Sequence, residues 1–109
     1  MSGKYQKSLN REATRITRIL KRHYRPEKII AFGSTAKNQA KKWSDLDLVI
    51  IKNTKERFYD RIGSVLRLIK PREAVDLLVY TPKEYEKMTR ESWFVGEEIA
   101  KKGKVIYAV

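Results

Sequence analysis

Residues 31–50 read AFGSTAKNQAKKWSDLDLVI, and the fold turns on how this stretch is parsed. Ile29, Ile30, Ala31 and Phe32 form a short continuous apolar run that stops at Gly33, the pattern of a buried strand over residues 28–32. Glycine at that point lets backbone approach a ligand closely or take a dihedral that a side chain resists. Ser34 follows, and a short helix is expected within residues 35–41, which sets its free amides beside Gly33 and Ser34. Backbone amides plus a hydroxyl form a cradle for phosphate oxygens. The same pair also suits an ordinary strand-to-helix turn with Ser34 as the N-cap. A polar, basic connection through Asn38, Lys41, Lys42 and Trp43 then leads into SDLDLVII. In a strand starting there, Leu46, Leu48 and Ile50 face one side while Asp45, Asp47 and Val49 face the other. Two carboxylates separated by one residue project from the same face, roughly 6–7 Å apart at the backbone. They repel each other unless a cation offsets them; the plain alternative is a Ser44-Asp45 turn with Asp47 exposed at a strand end.

Upstream, residues 2–23 carry a helical apolar stripe of Tyr5, Leu9, Ile16, Ile19, Leu20 and His23 or Tyr24. Lys4, Lys7, Arg11, Arg15, Arg18, Lys21, Arg22 and Arg25 cover much of the remainder, and Pro26 stops the helix. This basic side suits a phosphate backbone, an acidic partner protein, or simply water. Downstream, Phe58, Ile62, Val65, Leu66 and Ile69 predict a helix over residues 55–68. Residues 74–80 form the third strand, with Val75, Leu77 and Val79 on one side and Ala74, Asp76, Leu78 and Tyr80 on the other. Both sides are largely apolar, which predicts a central strand covered on both faces. An aspartate in that setting is costly unless it is hydrogen-bonded, protonated or near a cation. Asp76 can join Asp45 and Asp47 if the strands are neighbours, or it can pair with an arginine.

Thr81-Pro82 with Glu84 has the form of a capping box and predicts a helix over residues 82–88. A further helix over residues 91–102 presents Phe94, Ile99 and Val95 to the body of the domain and ends at Gly103. Val105, Ile106 and Tyr107 make a final edge strand or a packed tail. Trp93 and Phe94 read as core or partner-contact residues. Trp43 and Tyr80 are each placed to contact a base or to pack against the sheet.

The whole of residues 1–109 fits one domain. The chain lacks an apolar run approaching the ~18 residues of a membrane span, and neither a membrane partner nor a secretory leader is expected. Cysteine is absent, which excludes disulfides and thiol catalysis and points to the cytoplasm. A single histidine leaves oxygen donors for any metal, so magnesium, or manganese in its place, is the expected ion. Lys and Arg total 25 against 13 acids, a formal charge of +12 that attracts nucleotides and polyanions alike. Composition does not place that charge on one face.

Three aspartates, oxygen donors only, and a Gly-Ser turn beside a basic loop suggest metal-dependent phosphoryl transfer. Two ions a few Å apart polarise an attacked phosphorus and stabilise the attacking and leaving oxygens. Asp45 and Asp47 are the main candidate ligands. Asp76 completes a second site and can take the nucleophile's proton. Gly33 and Ser34 would hold the β and γ phosphates, with Lys37, Lys41 or Lys42 steering them.

Gly33-Ser34, ten residues, then Asp45-Leu46-Asp47, with Asp76 in a later apolar strand, resembles the minimal nucleotidyltransferase (MNT) domain of the DNA polymerase beta superfamily. The ending IAKKGKVIY is also similar to the close of these small proteins. The resemblance implies an α/β (α+β) fold with a short mixed sheet packed with helices. It implies transfer of a nucleoside monophosphate, AMP from ATP, with release of pyrophosphate. Gly33 and Ser34 correspond to the family's phosphate-binding pair, Asp45 and Asp47 to its metal-binding pair, and Asp76 to its third carboxylate. It further implies a helical HEPN-family toxin as partner, with a toxin tyrosine as acceptor and this chain as antitoxin. Two other readings stand beside it. One is a non-catalytic module that sequesters a protein or RNA; the other is the same chemistry on a nucleic-acid end or small molecule. Exposed aromatics leave room for a homo-oligomer.

Overall fold

The computed structural model describes residues 3–109. The first helix, α1 (Lys4–His23), buries Gln6, Leu9, Glu12, Ile16 and Leu20. Its inner stripe is therefore set one residue later than Tyr5, which is only half-buried, and it contains two polar side chains. The part of the expected helix at Ser2 lies outside the described residues. Lys21, Arg22 and His23 occupy the last turn, where cations complement the helix dipole. Arg25, at a φ of 56°, turns the chain out of the helix before Pro26.

Strand β1 (Lys28–Phe32) is followed at once by α2 (Gly33–Ala36), a single turn. The expected helix over residues 35–41 is corrected on both counts. It starts at Gly33, so Ser34 lies inside it and is not its N-cap, and it stops after one turn, with Asn38 at a φ of 59°. Strand β2 (Leu46–Ile51) begins one residue after Asp45, the residue expected at its first position, and α3 (Phe58–Ile69) begins three residues later than periodicity suggests. Thr54 Oγ1 takes the Glu56 amide, holding that approach in a turn. After β3 (Val75–Tyr80), α4 (Pro82–Glu91) carries the complete Thr81/Glu84 capping box. The next helix, α5 (Phe94–Lys101), is wound as a π-helix, and β4 (Lys104–Ala108) closes the chain. Gly103 permits the passage between them, because a Cβ there would meet the Ile99 carbonyl and come within 2.8 Å of Ile30 Cγ2.

The four strands form one mixed sheet in the order β3-β2-β1-β4. β1 is antiparallel to β2 and β4, whereas β2 and β3 are parallel, joined through α3. β3 is thus an edge strand, contrary to the expectation of a central one. Helices cover both faces of this sheet, so an edge strand is as apolar on its two sides as an inner one. On one face, Ile29, Ala31, Leu46, Leu48, Ile50, Leu77 and Val79 pack against Leu9, Ile16 and Leu20 of α1 and Val65 and Ile69 of α3. On the other, Ile30, Phe32, Val49, Ile51 and Tyr80 pack against Val95 and Ile99 of α5, with Tyr85 and Met88 of α4. No helix among the described residues is long and apolar enough to cross a membrane.

Candidate active site

Parallel pairing of β2 with β3 sets Asp47 directly opposite Asp76, and antiparallel pairing with β1 sets Asp47 opposite Phe32, next to Gly33. Register partners share a face, so Asp47 and Asp76 project on the α4/α5 side, at the end of the sheet where β2 begins. Asp45 precedes the strand by one residue and lies close enough to Asp47 to act on it electrostatically. Alternation alone anticipated this shared face, and pairing supplied the neighbour.

Asp47 is half-buried and its carboxyl is pushed up to about 6. Removal from water is the largest cause, followed by the charges of Asp76 and then Asp45. All three favour the proton. Asp45 and Asp76 are exposed. No three Asp, Glu, His or Cys side chains among the described residues stand close enough together to form a ready-made metal cage. The donor chemistry nevertheless fits a hard divalent cation: the neighbouring acidic groups are all carboxylates, and each raises the cost of leaving Asp47 charged and uncompensated.

Gly33 has a φ of 74°, and a Cβ on it would fall 2.5 Å from Asp47 Oδ2. Here glycine is required twice, by the left-handed dihedral and by the carboxylate that fills the place of a side chain. The Ser34 hydroxyl lies 3.1 Å from Ser44 Oγ, which also accepts the Lys41 amide at 2.8 Å. Thr35, buried, donates its hydroxyl to the Asp45 carbonyl at 3.1 Å, tying the phosphate-cradle candidate to the first aspartate.

Gln6 is the group that sequence reasoning missed. It is 2% exposed, its Nε2 donates to the Thr35 carbonyl at 3.0 Å, and its Oε1 accepts the Ala40 amide at 2.9 Å. One amide on α1 therefore clamps the stretch that follows the Gly-Ser turn, from Thr35 to Ala40. The available signal was a polar residue one turn before Leu9, at a position where an apolar one is expected. A recess of about 760 Å³ opens beside Ser34, bounded by Gly3, Gln6, Lys41 and Trp43.

Among the basic candidates, Lys37 pairs with Glu98 of α5 at 3.5 Å, whereas Lys41 and Lys42 stay exposed and form no ion pair among the described residues. Trp43 is 78% exposed on the rim of the recess. Tyr80 is buried between the Phe58 and Tyr85 rings, at centroid distances of 5.8 and 6.4 Å, and packs rather than facing a ligand. Trp93 and Phe94 are not core residues: both are exposed, although Phe94 meets Phe32 edge-on at 5.7 Å.

Comparison with solved structures finds the same fold in a protein from Sulfolobus solfataricus, determined at 1.40 Å and assigned as a nucleotidyltransferase. The TM-score is 0.65 at 20% identity, covering 97% of this chain and 89% of that one. Among curated proteins nothing matches. The family model described as Polymerase beta, Nucleotidyltransferase matches residues 14–108, a span that takes in the glycine turn, all three aspartates and every strand of the sheet. By that match the chain belongs to the polymerase beta nucleotidyltransferase family.

Proposed function

We propose that this chain is a metal-dependent nucleotidyltransferase of the minimal (MNT) type, moving AMP from ATP to a hydroxyl. The observation that carries the reading is the register that sets Asp47 opposite Asp76, with Gly33 beside them lacking the Cβ that would strike the Asp47 carboxylate. Asp45 and Asp47 would hold the first magnesium ion and Asp76 would complete a second site, with manganese able to substitute. When bound, such ions neutralise the triphosphate and polarise the attacked phosphorus.

The protein's own groups have separable tasks. Gly33 lets the main chain come close to the β and γ phosphates. Ser34 leaves Ser44 to donate to a phosphate oxygen, and Lys41 and Lys42 attract the triphosphate from solution. Asp76, exposed beside the site, accepts the proton of the acceptor hydroxyl. The acceptor oxygen bonds to the α phosphorus as the bond to the bridging β oxygen breaks, and pyrophosphate leaves.

The acceptor in this reading is a tyrosine of a HEPN-family helical partner in the cytoplasm, with the chain serving as antitoxin. Its support is the motif resemblance together with family membership. The test incubates the protein with α-labelled ATP, Mg2+ and a HEPN-type protein. Label on a tyrosine of the partner, lost in Asp45→Asn/Asp47→Asn, is expected. Absence of transfer together with absence of metal-dependent triphosphate binding overturns the enzyme reading. Transfer to RNA ends or small molecules alone overturns the assigned acceptor.

A further inference from the structure

We infer that the outer side of α1, with the groove it forms against β4, binds a single-stranded polynucleotide through its phosphodiester backbone. This goes beyond the transfer reaction and does not depend on it. Lys4, Lys7, Arg11, Arg18 and Lys21 recur at spacings of three, four or seven, so they share one side of the helix, opposite the buried Leu9, Ile16 and Leu20. All five are exposed, and Arg25 continues the row past the helix end. Among the described residues none of these six forms an ion pair; the α1 cation that does is Arg15, held by Glu12. A 20-residue helix carries such a row over roughly 30 Å.

The occupant follows from what the row lacks. Thr14 and the exposed, cationic Arg22 are the only other residues on that side within the helix, and no aliphatic or aromatic side chain interrupts it. Protein partners anchor on apolar and aromatic centres from which lysine is depleted. Nucleic-acid surfaces are polar and strongly cationic. Beside the row lies a groove of about 440 Å³, edged by Arg18, Lys21 and Lys104, with Thr14, Ile106 and Tyr107 also lining it. A basic groove with an aromatic in it is how single strands are held without sequence preference. A helix seated in a duplex groove needs cations toward both walls, whereas these form one line.

The experiment measures fluorescence anisotropy of labelled RNA of about 20 nucleotides, DNA of the same sequence, and the duplex, without ATP or magnesium. With about four phosphates contacted, log K falls against log salt with a slope near −3 for a single strand. R11Q/R18Q/K21Q weakens binding on the order of 100-fold near 0.1 M salt and makes the slope shallower by about 2. The matched control K87Q/R90Q/K101Q removes the same charge from α4 and α5, where those cations pair with Glu91, Glu86 and Glu97, and changes binding by less than about twofold. Binding of RNA and DNA alike supports backbone recognition, and binding of RNA alone supports it with an added 2′-hydroxyl contact. Equal weakening by both triple variants, a flat salt dependence, or tighter binding of duplex overturns the proposal. So does polyglutamate competing as well as RNA, which would make the surface one for acidic proteins. If the α1 triple variant does not fold, single K21Q and the wild-type salt slope decide.

Discussion

Two carboxylates in this molecule are withdrawn from water and meet opposite fates. Glu12, on the inner side of α1, is 3% exposed, yet its carboxyl is held down at about 2. Arg15 donates to it at 2.7 Å, and the amides of Arg72 and Glu73 donate at 2.6 and 3.1 Å. Asp47, on the opposite face of the sheet, is pushed up to about 6 by burial and by two further aspartates. The difference separates scaffold from site. A buried charge answered by donors on every side fastens α1 to the α3–β3 loop. A charge left among others of its own sign, with no donor to it among the described residues, is the pattern of a functional carboxylate.

The largest expected effect breaks the site half of this contrast. Asp47→Asn lowers nucleotidyl transfer on the order of 10³-fold. In the metal-free protein it should instead stabilise the fold, by on the order of 2 kcal/mol at pH 7.5, because the replaced charge was unfavourable. Urea unfolding of both proteins without divalent ions checks the sign; a destabilised variant would mean Asp47 is answered by a donor after all. The sign follows from linkage. The folded pKa of Asp47 is raised above 3.8, so its contribution is most favourable below that value and is lost as pH rises through 6. The variant's advantage is therefore full above pH 6 and gone below about 4.

Glu12→Gln tests the scaffold half. Its folded pKa is depressed from 4.5 to about 2, so its stabilisation is present above 4.5 and is lost as pH falls toward 2. A loss of on the order of 2–3 kcal/mol near neutral pH, vanishing toward pH 2, is expected in denaturant titrations. Gln6→Leu removes the amide that braces the stretch after the Gly-Ser turn, leaving the Thr35 carbonyl and Ala40 amide without that partner. About a tenfold rise in the Kd for a triphosphate is expected, with stability reduced by about 1–2 kcal/mol. Calorimetry at matched fractions folded separates the two. The smallest effect sharpens the contrast by pH: protons compete for Asp47, so magnesium affinity falls at most about tenfold per unit below pH 6 and is level above it. A Tm shift by Mg2+ that is equal at pH 5 and pH 7.5 would contradict this.

A second contrast runs between the two faces of the sheet. Between Lys4 and Arg25 there are eight basic residues and one acid, Glu12, which faces inward. Residues 82–101 carry four basic residues and five acids, and Lys87, Arg90 and Lys101 are ion-paired there. Most of the +12 charge thus lies on the α1 side, away from the face onto which Asp47 and Asp76 project. Composition held the magnitude of the excess. Its location needed the acids to be assigned their partners.

What the chain determines by itself is whatever depends on near neighbours. Alternation in Leu46–Ile51 and Val75–Tyr80 set the faces of Asp47 and Asp76, and the Thr81/Glu84 box set the start of α4, because these rest on backbone geometry over a few residues. The glycine of the turn was legible for the same reason. Tertiary structure alone decided that β3 lies at an edge, since cover on both faces makes edge and centre look alike in sequence. It alone turned Gln6 and Glu12 inward, for the backbone groups they hold lie 29 and 60 residues away. Pairings at that distance are chosen by how helices settle on the sheet, where an unanswered buried amide or carboxylate costs too much to tolerate.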